Sequence, residues 1–93
     1  MNKSYVVIGG SSGIGREIAI RLSNTRSVVL HGRNQQRLEE TLRSCAAGEH
    51  FTWECDFNEV DAIRGSLLKL LESMKNPITE FVHSAGIPSV GAV

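Results

Sequence analysis

The sequence has few of the residues that build disulfide scaffolds, membrane anchors or export signals. Only two cysteines are present, Cys45 and Cys55. They are too few for a disulfide framework and form no C-x-x-C pair, so we expect free thiols that are buried or half-buried. No apolar run approaches the about 18 residues that indicate a membrane-spanning helix. The N-terminal segment Met1-Asn2-Lys3-Ser4 has no apolar stretch of a signal peptide. These absences predict a cytoplasmic protein.

The sequence also has no excess charge of either sign. Ten basic residues balance ten acidic ones, so the charge signature of a nucleic-acid-binding or membrane-surface protein is missing. The three histidines have no metal-ligand spacing with cysteines or carboxylates, and we expect no metal site. The composition is that of an ordinary globular protein, with 41% hydrophobic and 22% charged residues. It suffices for a single domain over residues 1–93.

Four short β-rich runs are distributed along the chain. The first, Tyr5-Val6-Val7-Ile8, is apolar without alternation, which is typical of a strand covered on both faces of a sheet. The other strands are predicted at residues 27–31, 51–55 and 78–83. The third of the four alternates between apolar and polar residues, so we expect one of its faces to be exposed.

Helical patterns lie between these runs. A spacing of four residues predicts a first helix over residues 13–24, with Ile14, Ile18 and Leu22 on one face. A second helix is predicted to begin after the capping residue Asn34 and to end before Gly48. The apolar face of this second helix consists of Leu38, Leu42 and Cys45.

The third helix is predicted to open at a capping pair, Asn58 and Asp61, and to stop before Pro77. Its inward face is expected to carry Val60, Ile63, Leu67, Leu70, Leu71 and Met74. Gly65 lies inside this helix at a cost of roughly 1 kcal/mol relative to alanine. Either this glycine is simply tolerated there, or it permits a close backbone contact.

The order of elements is β-α-β-α-β-α-β, which predicts right-handed crossovers and a parallel sheet. In a doubly wound α/β fold the strand order is 3-2-1-4, with helices on both faces. A ligand crevice is then expected at the carboxyl ends of strands one and four, where the winding reverses.

Glycines cluster between the first strand and the first helix, in Gly9-Gly10-Ser11-Ser12-Gly13-Ile14-Gly15. Glycines at such a junction let a pyrophosphate approach bare backbone amides at a helix N-terminus, where the helix dipole favours negative charge. The candidate binding residues are Gly9, Ser11, Ser12, Gly13, Ile14 and Gly15. The alternative is a turn that only joins strand to helix, but the strand–loop–helix context favours a phosphate site.

The glycine spacing G-x-x-x-G-x-G resembles the T-G-x-x-x-G-x-G motif of the short-chain dehydrogenase/reductase family, with Ile8 at the threonine position. The resemblance implies a Rossmann-like fold that binds a nicotinamide dinucleotide. It also implies that an intact parent protein transfers hydride between this cofactor and a carbonyl or alcohol substrate. It covers essentially the whole chain, but only the family's N-terminal, cofactor-binding half.

The segment His31-Gly32-Arg33-Asn34 follows the second strand, where dinucleotide folds read the adenosine ribose. A carboxylate there selects NAD through the 2′-OH, whereas an arginine accommodates the 2′-phosphate of NADP. This sequence has Gly32 in place of the carboxylate and Arg33 beside it, which predicts NADP(H) over NAD(H). Alternatively, Arg33 is a solvated surface charge. Arg37 and Arg16 are either further phosphate contacts or exposed.

Two further segments match the family after the third and fourth strands. Asp56 and Phe57 stand at the family's D-V-type pair. This implies that the Asp56 carboxylate contacts the adenine amino group and that the Phe57 amide contacts a ring nitrogen. His83-Ser84-Ala85-Gly86 resembles the N-N-A-G segment, whose small residues, Ala85 and Gly86, let the chain pass beside the adenine ribose. The histidine of this segment is expected to be structural rather than catalytic.

The family's catalytic residues have no counterpart in this sequence. In the family a tyrosine is the general acid/base, a lysine four residues later lowers its pKa, and a serine and an asparagine complete the site. The only tyrosine here is Tyr5, and no Tyr-x-x-x-Lys occurs. No residue is therefore predicted to be catalytic, and the chain alone is expected to be inactive.

The sequence supports two hypotheses about function. The chain is either the NADP(H)-binding N-terminal portion of a short-chain dehydrogenase/reductase, or a stand-alone, non-catalytic dinucleotide-binding or interaction module. Coding sequence beyond Val93 with an in-frame serine and Tyr-x-x-x-Lys would favour the first hypothesis. Because strand four is predicted at a sheet edge, we also expect self-association, as a homo-oligomer or less ordered assembly, through that edge.

Overall fold

The structure, a computed structural model, describes residues 4–10, 13–74 and 77–83. Within these ranges four strands and three helices alternate along the chain, as predicted. In order, they are β1 (Ser4–Ile8), α1 (Gly13–Leu22), β2 (Ser27–Gly32), α2 (Gln35–Ser44), β3 (Phe51–Glu54), α3 (Val60–Ser73) and β4 (Ile78–His83). The predicted ends differ by one or two residues at several elements; α1, for example, ends at Leu22 rather than at residue 24.

The four strands form one parallel sheet in the order β3-β2-β1-β4. This confirms the prediction of a Rossmann-like, doubly wound α/β fold. At the carboxyl end of β1, Ile8 lies between His31 of β2 and His83 of β4. The winding reverses at β1, so the ligand crevice of such a fold lies at this end of β1 and β4.

Both faces of the sheet are covered by apolar layers. The layer against α3 contains Val6, Ile8, Val29, Trp53, Cys55 and Leu70. The layer against α1 and α2 contains Val7, Ala19, Val28, Leu30 and Leu38. Because successive residues of a strand point to opposite faces, both layers draw on β1 and β2. These strands are therefore apolar without alternation, as the sequence indicated.

The start of α2 follows the prediction. The side-chain Oδ1 of Asn34 accepts a hydrogen bond from the backbone N–H of Arg37 at 3.1 Å, which satisfies one of the free donors at the helix N-terminus. Leu38 is buried, and Leu42 and Cys45 pack against the same layer, so the predicted apolar face is confirmed.

The predicted capping pair at the start of α3 is wrong. Asn58 precedes the helix, and its backbone N–H donates to Oδ1 of Asp56 at 2.9 Å. Glu59 occupies the N-cap position, and its side chain makes no capping bond within the described residues. The Asp56 carbonyl accepts the Glu59 N–H at 2.9 Å, so the chain completes a turn before the helix begins. This turn moves the helix start to Val60.

The predicted inward face of α3 is also partly wrong. Val60 and Leu71 are 71% and 41% exposed. The face that packs on the sheet is narrower and consists of Ile63, Leu67, Leu70 and Met74. Val60 belongs to the first, exposed turn of the helix, and Leu71 lies on the flank of the packed stripe.

Gly65 lies in the interior of α3, where nothing among the described residues comes within 4 Å of an added Cβ. This favours simple tolerance over a close backbone contact. We therefore expect Gly65→Ala to raise the free energy of unfolding by about 0.5–1 kcal/mol, because alanine loses less backbone entropy in a helix. Urea denaturation followed by circular dichroism measures the change.

Gly10→Ala is the comparison for that experiment. A Cβ at Gly10 would lie 3.3 Å from the carbonyl oxygen of Val7, in the tightly packed end of β1, so this variant should lose stability. A loss of stability in Gly65→Ala as well would mean that the Gly65 face of α3 is in contact with another part of the protein.

A membrane-spanning helix and a disulfide are both absent from the part of the chain that the structure describes. None of its helices is long and apolar enough to cross a membrane. Cys45 is half-buried, Cys55 is buried, and both are free thiols, as predicted. Burial raises the pKa of the Cys45 thiol, against the lowering effects of its hydrogen bond with Ser23 and of the Arg16 charge. The raised pKa favours the protonated form of the Cys45 thiol at neutral pH.

Candidate cofactor-binding site

The glycine loop between β1 and α1 depends on glycine at three positions. Gly9 and Gly13 have φ angles of 82° and 61°, a left-handed conformation that other residues disfavour. Gly10 is needed because of close packing: its N–H donates to the carbonyl of His31 at 2.8 Å, and a Cβ would lie 3.3 Å from the Val7 carbonyl oxygen. The loop is thereby fastened to the end of β2.

The loop leads into the N-terminus of α1, whose first backbone N–H groups have no helical carbonyl partner. A Cβ on Gly13 would meet nothing within 4 Å among the described residues. Ile14 is 72% exposed and is not part of the apolar face of α1, whereas Gly15 is buried. No acidic residue occupies the first helical turn, so the positive end of the dipole is available to an anion. Ser11 and Ser12 lie outside the described residues, and their predicted contacts stay predictions.

A cavity of about 230 Å³ lies at the carboxyl ends of β2 and β3. It is lined by Arg33, Glu54, Cys55, Asp56, Glu59, Ala62 and Ser66. Two predicted site residues, Arg33 and Asp56, are thus brought together. Two carboxylates that the sequence reasoning missed, Glu54 and Glu59, share the cavity with them. The predicted strand order could have indicated Glu54. It places β3 beside β2, and in the β2–β3 register Glu54 lies directly beside Gly32.

The guanidinium of Arg33 has no ion-pair partner within the described residues. Its side chain is exposed and forms no salt bridge there, although carboxylates line the same cavity. Arg16 behaves differently, because its Nη2 donates to Oγ of Ser44 on α2 at 3.0 Å. Arg37 is exposed on α2. Arg33 is therefore the predicted phosphate ligand that the structure places in the cavity.

Asp56 shapes the turn between β3 and α3. The turn begins where the Cys55 N–H donates to the carbonyl of Gly32 at 3.0 Å. Oδ1 of Asp56 then accepts the Asn58 N–H at 2.9 Å, which holds the carboxylate at the cavity wall. A carboxylate has a second oxygen and further lone pairs, so this use in the turn leaves it able to accept a bond from a ligand amine.

Phe57 directs its ring back into the protein. The ring is 40% exposed and stacks on the imidazole of His31, with centroids 4.2 Å apart and planes at 17°. Trp53 meets both rings edge-on, at centroid distances of 5.2 and 5.7 Å. The Nε1–H of Trp53 donates to Oγ of Ser66 at 2.8 Å, which anchors the cluster to α3. The ring is thus held by His31 and Trp53, and the predicted contact between the Phe57 backbone N–H and an adenine nitrogen stays a prediction.

His31 is a residue that the sequence reasoning did not select. It is only 6% exposed, and its Nε2 lies 2.9 Å from the carbonyl oxygen of Cys55, to which the neutral ring donates. Burial lowers the pKa of His31 below its ordinary value; the Cys55 hydrogen bond opposes this, and the nearby His83 adds to it. The signal in the sequence was a histidine directly after the apolar run Val28-Val29-Leu30.

The carboxyl end of β4 lies beside that of β1 in the sheet. His83 is exposed and lies beside Ile8 in the β1–β4 register. Ala85 and Gly86, the predicted ribose contacts, lie outside the described residues, and their role stays a prediction. No group of three or more histidine, cysteine or carboxylate side chains able to hold a metal ion occurs in the described ranges, and the expected lack of a metal also stays a prediction.

The residues present fit a dinucleotide. Two glycines with left-handed φ angles, Gly9 and Gly13, stand before and at the N-terminus of α1, whose first turn has no acidic residue, and this arrangement suits a pyrophosphate. The cavity holding Arg33 and Asp56 lies at the ends of the next two strands, in the direction of an adenosine. One hydrogen bond, from Gly10 to the carbonyl of His31, ties the two parts together.

Comparison with known proteins agrees with this geometry. The family described as short chain dehydrogenase matches residues 3–93. A 3beta-hydroxysteroid dehydrogenase from Mediterraneibacter gnavus is 33% identical over 93 residues, which are 97% of this chain and 33% of that protein. The chain therefore spans about a third of the length of the curated relative it matches. Its strand order, its glycine loop and this match over nearly its full length show that the chain belongs to the short-chain dehydrogenase family of nicotinamide-dependent oxidoreductases.

Proposed function

We propose that the chain is the NADP(H)-binding portion of a short-chain dehydrogenase whose intact protein transfers hydride between NADP(H) and a carbonyl or alcohol substrate. The observation that carries the proposal is the cavity in which Arg33 stands beside Asp56, one hydrogen bond away from the glycine loop through His31. A glycine turn that only joins β1 to α1, or an arginine that is only a surface charge, would not account for Arg33 and Asp56 lining one cavity next to the glycine loop.

In this proposal the chain holds the cofactor at three places besides the 2′-phosphate. The glycine loop and the first turn of α1, from Gly9 to Gly15, receive the pyrophosphate on backbone N–H groups, with the serine hydroxyls as further donors. Asp56 and the backbone of Phe57 receive the adenine edge. Ala85 and Gly86 leave room for the adenosine ribose.

The preference for NADP(H) depends on a balance of charges in the cavity. Arg33 offers parallel N–H donors that match a phosphate bidentately. Three carboxylates that line the same cavity, Glu54, Asp56 and Glu59, oppose a 2′-phosphate. Glu54 and Glu59 are exposed, Asp56 is half-buried and faces the adenine amine in this proposal, and solvent and salt weaken the repulsion with distance. A direct guanidinium–phosphate contact therefore outweighs them.

When bound, the nicotinamide ring supplies or accepts the hydride. The residues of this chain bind and orient the dinucleotide, and we assign none of them to proton transfer, because no Tyr-x-x-x-Lys occurs in these 93 residues. The relative's name specifies a hydroxysteroid, which is an alcohol. Only the alcohol or carbonyl class is carried over to the present protein.

Titration with NADPH and with NADH, followed by nicotinamide fluorescence, tests the proposal. We expect saturable binding of both, with NADPH favoured by about tenfold because of the additional charged contact to the 2′-phosphate. Adenosine 2′,5′-bisphosphate should displace NADPH. Equal affinities would contradict the NADP(H) preference, and no binding of either dinucleotide by the intact protein would contradict the function itself.

We also propose that the protein is cytoplasmic and self-associates through β4. This strand is at the edge of the described sheet, and Phe81 on it is 57% exposed. Size-exclusion chromatography with light scattering should show a dimer or larger species, and Phe81→Lys should shift it towards monomer. Leu68→Lys, an equally exposed position on α3, is the control. A monodisperse wild-type monomer would refute self-association, and cell fractionation tests the location.

A further inference from the structure

His31 lies at the junction between the glycine loop and the segment after β3. Its backbone carbonyl accepts the Gly10 N–H at 2.8 Å. Its Nε2 lies 2.9 Å from the carbonyl oxygen of Cys55, the residue immediately before Asp56. A single residue of β2 therefore holds, with its main chain, the loop that faces the pyrophosphate and, with its side chain, the segment that faces the adenine.

The ring of His31 also fixes the direction of the chain after Cys55. Phe57 stacks on it in nearly parallel planes, and Trp53 closes the other side edge-on. Trp53 is itself held by its hydrogen bond to Ser66 of α3. With the Phe57 ring directed inward, the Asp56 carboxylate lines the cavity.

We propose that His31 is a positioning residue, which sets the distance between the glycine loop and the Asp56–Phe57 segment and does so only as the neutral imidazole with its proton on Nε2. The inference rests on the proposed dinucleotide function and deepens it. His31 itself need not touch the cofactor.

The neutral form is required by the surroundings of the ring. A carbonyl can only accept, so the Nε2 atom carries the proton, and Nδ1 is left as an acceptor. Nδ1 is buried and has no hydrogen-bond partner within the described residues. Protonating it would bury a charged N–H without an acceptor, and this cost loosens the stack under Phe57.

The titratable groups around His31 come from two directions. Cys55 and Asp56 follow β3, and His83 lies at the end of β4 on the far side of β1. The β1 neighbour is the apolar Ile8, and the α3 residue that fixes the ring cluster, Ser66, is uncharged. Burial dominates this balance and lowers the pKa of His31 below 6.5.

The pH dependence has a definite sign. Because the folded-state pKa of His31 is lowered, its contribution to stability is complete above its unfolded value of about 6.5 and is lost as the pH falls towards the folded pKa. Ligand affinity then falls as the pH drops through the folded pKa. By linkage, a bound ligand must lower the pKa of His31 further.

Three variants separate the contributions. His31→Phe keeps a ring that can stack on Phe57 and removes the donor, whereas His31→Gln keeps a donor and removes the ring. His50→Gln is the matched control. His50 also binds backbone atoms through both ring nitrogens, the N–H of Val28 at 3.1 Å and the carbonyl of Ala46 at 2.8 Å, but it does so at the amino ends of β2 and β3, away from the cavity.

The experiment measures ADP-ribose affinity by calorimetry from about pH 7.5 to about pH 5, a probe chosen because it has no phosphate that titrates near pH 6. Stability is followed in parallel so that affinity refers to folded protein.

We expect wild-type affinity to fall about tenfold over this range. His31→Phe and His31→Gln should bind about tenfold more weakly at the upper pH and show no such fall. His50→Gln should behave as wild type. Imidazole signals in NMR titrations should show the pKa of His31 lowered by the ligand.

A failure of the positioning role and a failure of the dinucleotide function give different results. If wild-type protein binds ADP-ribose but His31→Phe has the same affinity and the same pH profile, or the ligand leaves the pKa of His31 unchanged, the positioning role is wrong and the dinucleotide function stands. If wild-type protein binds neither ADP-ribose nor NADPH, the proposed function fails, and the role of His31 fails with it.

Discussion

Gly13→Ala is expected to weaken the binding of NADPH and NADH alike, by roughly 100-fold, through loss of several charge-assisted bonds to the pyrophosphate. The φ angle of Gly13 is 61°, and its missing Cβ faces a space in which no described residue comes within 4 Å. A methyl group there stands where the phosphate must approach the backbone. It also imposes a left-handed strain of about 1–2 kcal/mol.

Parallel measurements distinguish a blocked site from an unfolded protein. Fluorescence titrations of Gly13→Ala with both dinucleotides should be accompanied by urea denaturation, and the variant should remain folded. Gly65→Ala is the glycine control, since an added Cβ there also meets no described residue within 4 Å, but the position lies in α3 away from the loop. If Gly13→Ala is folded and its affinity for both dinucleotides is unchanged, the glycine loop is not part of the binding site.

Arg33→Ala is expected to weaken NADPH binding by about 10- to 100-fold and NADH binding by less than about threefold, because only NADPH has the 2′-phosphate that the guanidinium would bind. Arg33 forms no salt bridge within the described residues, so its removal leaves no buried carboxylate without a partner. Stability should therefore change little. The affinity ratio of the two cofactors is the measured quantity.

Two other variants make the Arg33 experiment specific. Glu54→Gln removes a negative charge from the same cavity and should move the ratio in the opposite direction, towards NADPH. Arg43→Ala removes an exposed arginine from the last turn of α2 and should leave the ratio unchanged. If Arg33→Ala reduces the affinities for NADPH and NADH equally, the guanidinium acts through general charge and does not read the 2′-phosphate.

The fold was largely predictable because its signals are local and repeat along the chain. A strand covered on both faces must be apolar throughout, and Tyr5-Val6-Val7-Ile8 shows this directly. The cap of α2 is equally local, since Asn34 reaches a donor only three residues away. Once β-α units alternate, the handedness of the crossovers leaves few strand orders, and the predicted order is the one found.

The start of α3 was predicted less well because two local patterns compete there. Asn58 and Asp61 have the composition of a capping pair, but Asp56 accepts the Asn58 N–H first and turns the chain before the helix begins. Aspartate forms such turns readily, and sequence spacing alone does not decide which acceptor wins. Val60 and Leu71 were predicted on the buried face because they are apolar and close to the helical spacing, but the face that packs on the sheet is narrower and leaves both exposed.

The sequence by itself determined the alternating elements, their parallel order and the glycine loop, because hydrophobic periodicity and the backbone freedom of glycine act over a few neighbouring residues. Only the tertiary structure decided which side chains meet at the ends of the strands. There Glu54 joins Arg33 in one cavity, and His31 holds Phe57 by stacking and Cys55 by a hydrogen bond. These residues are separated by about twenty positions in the chain. Their contact depends on the register of β2 against β3, which is set by the packing of whole strands and is not encoded in any short motif.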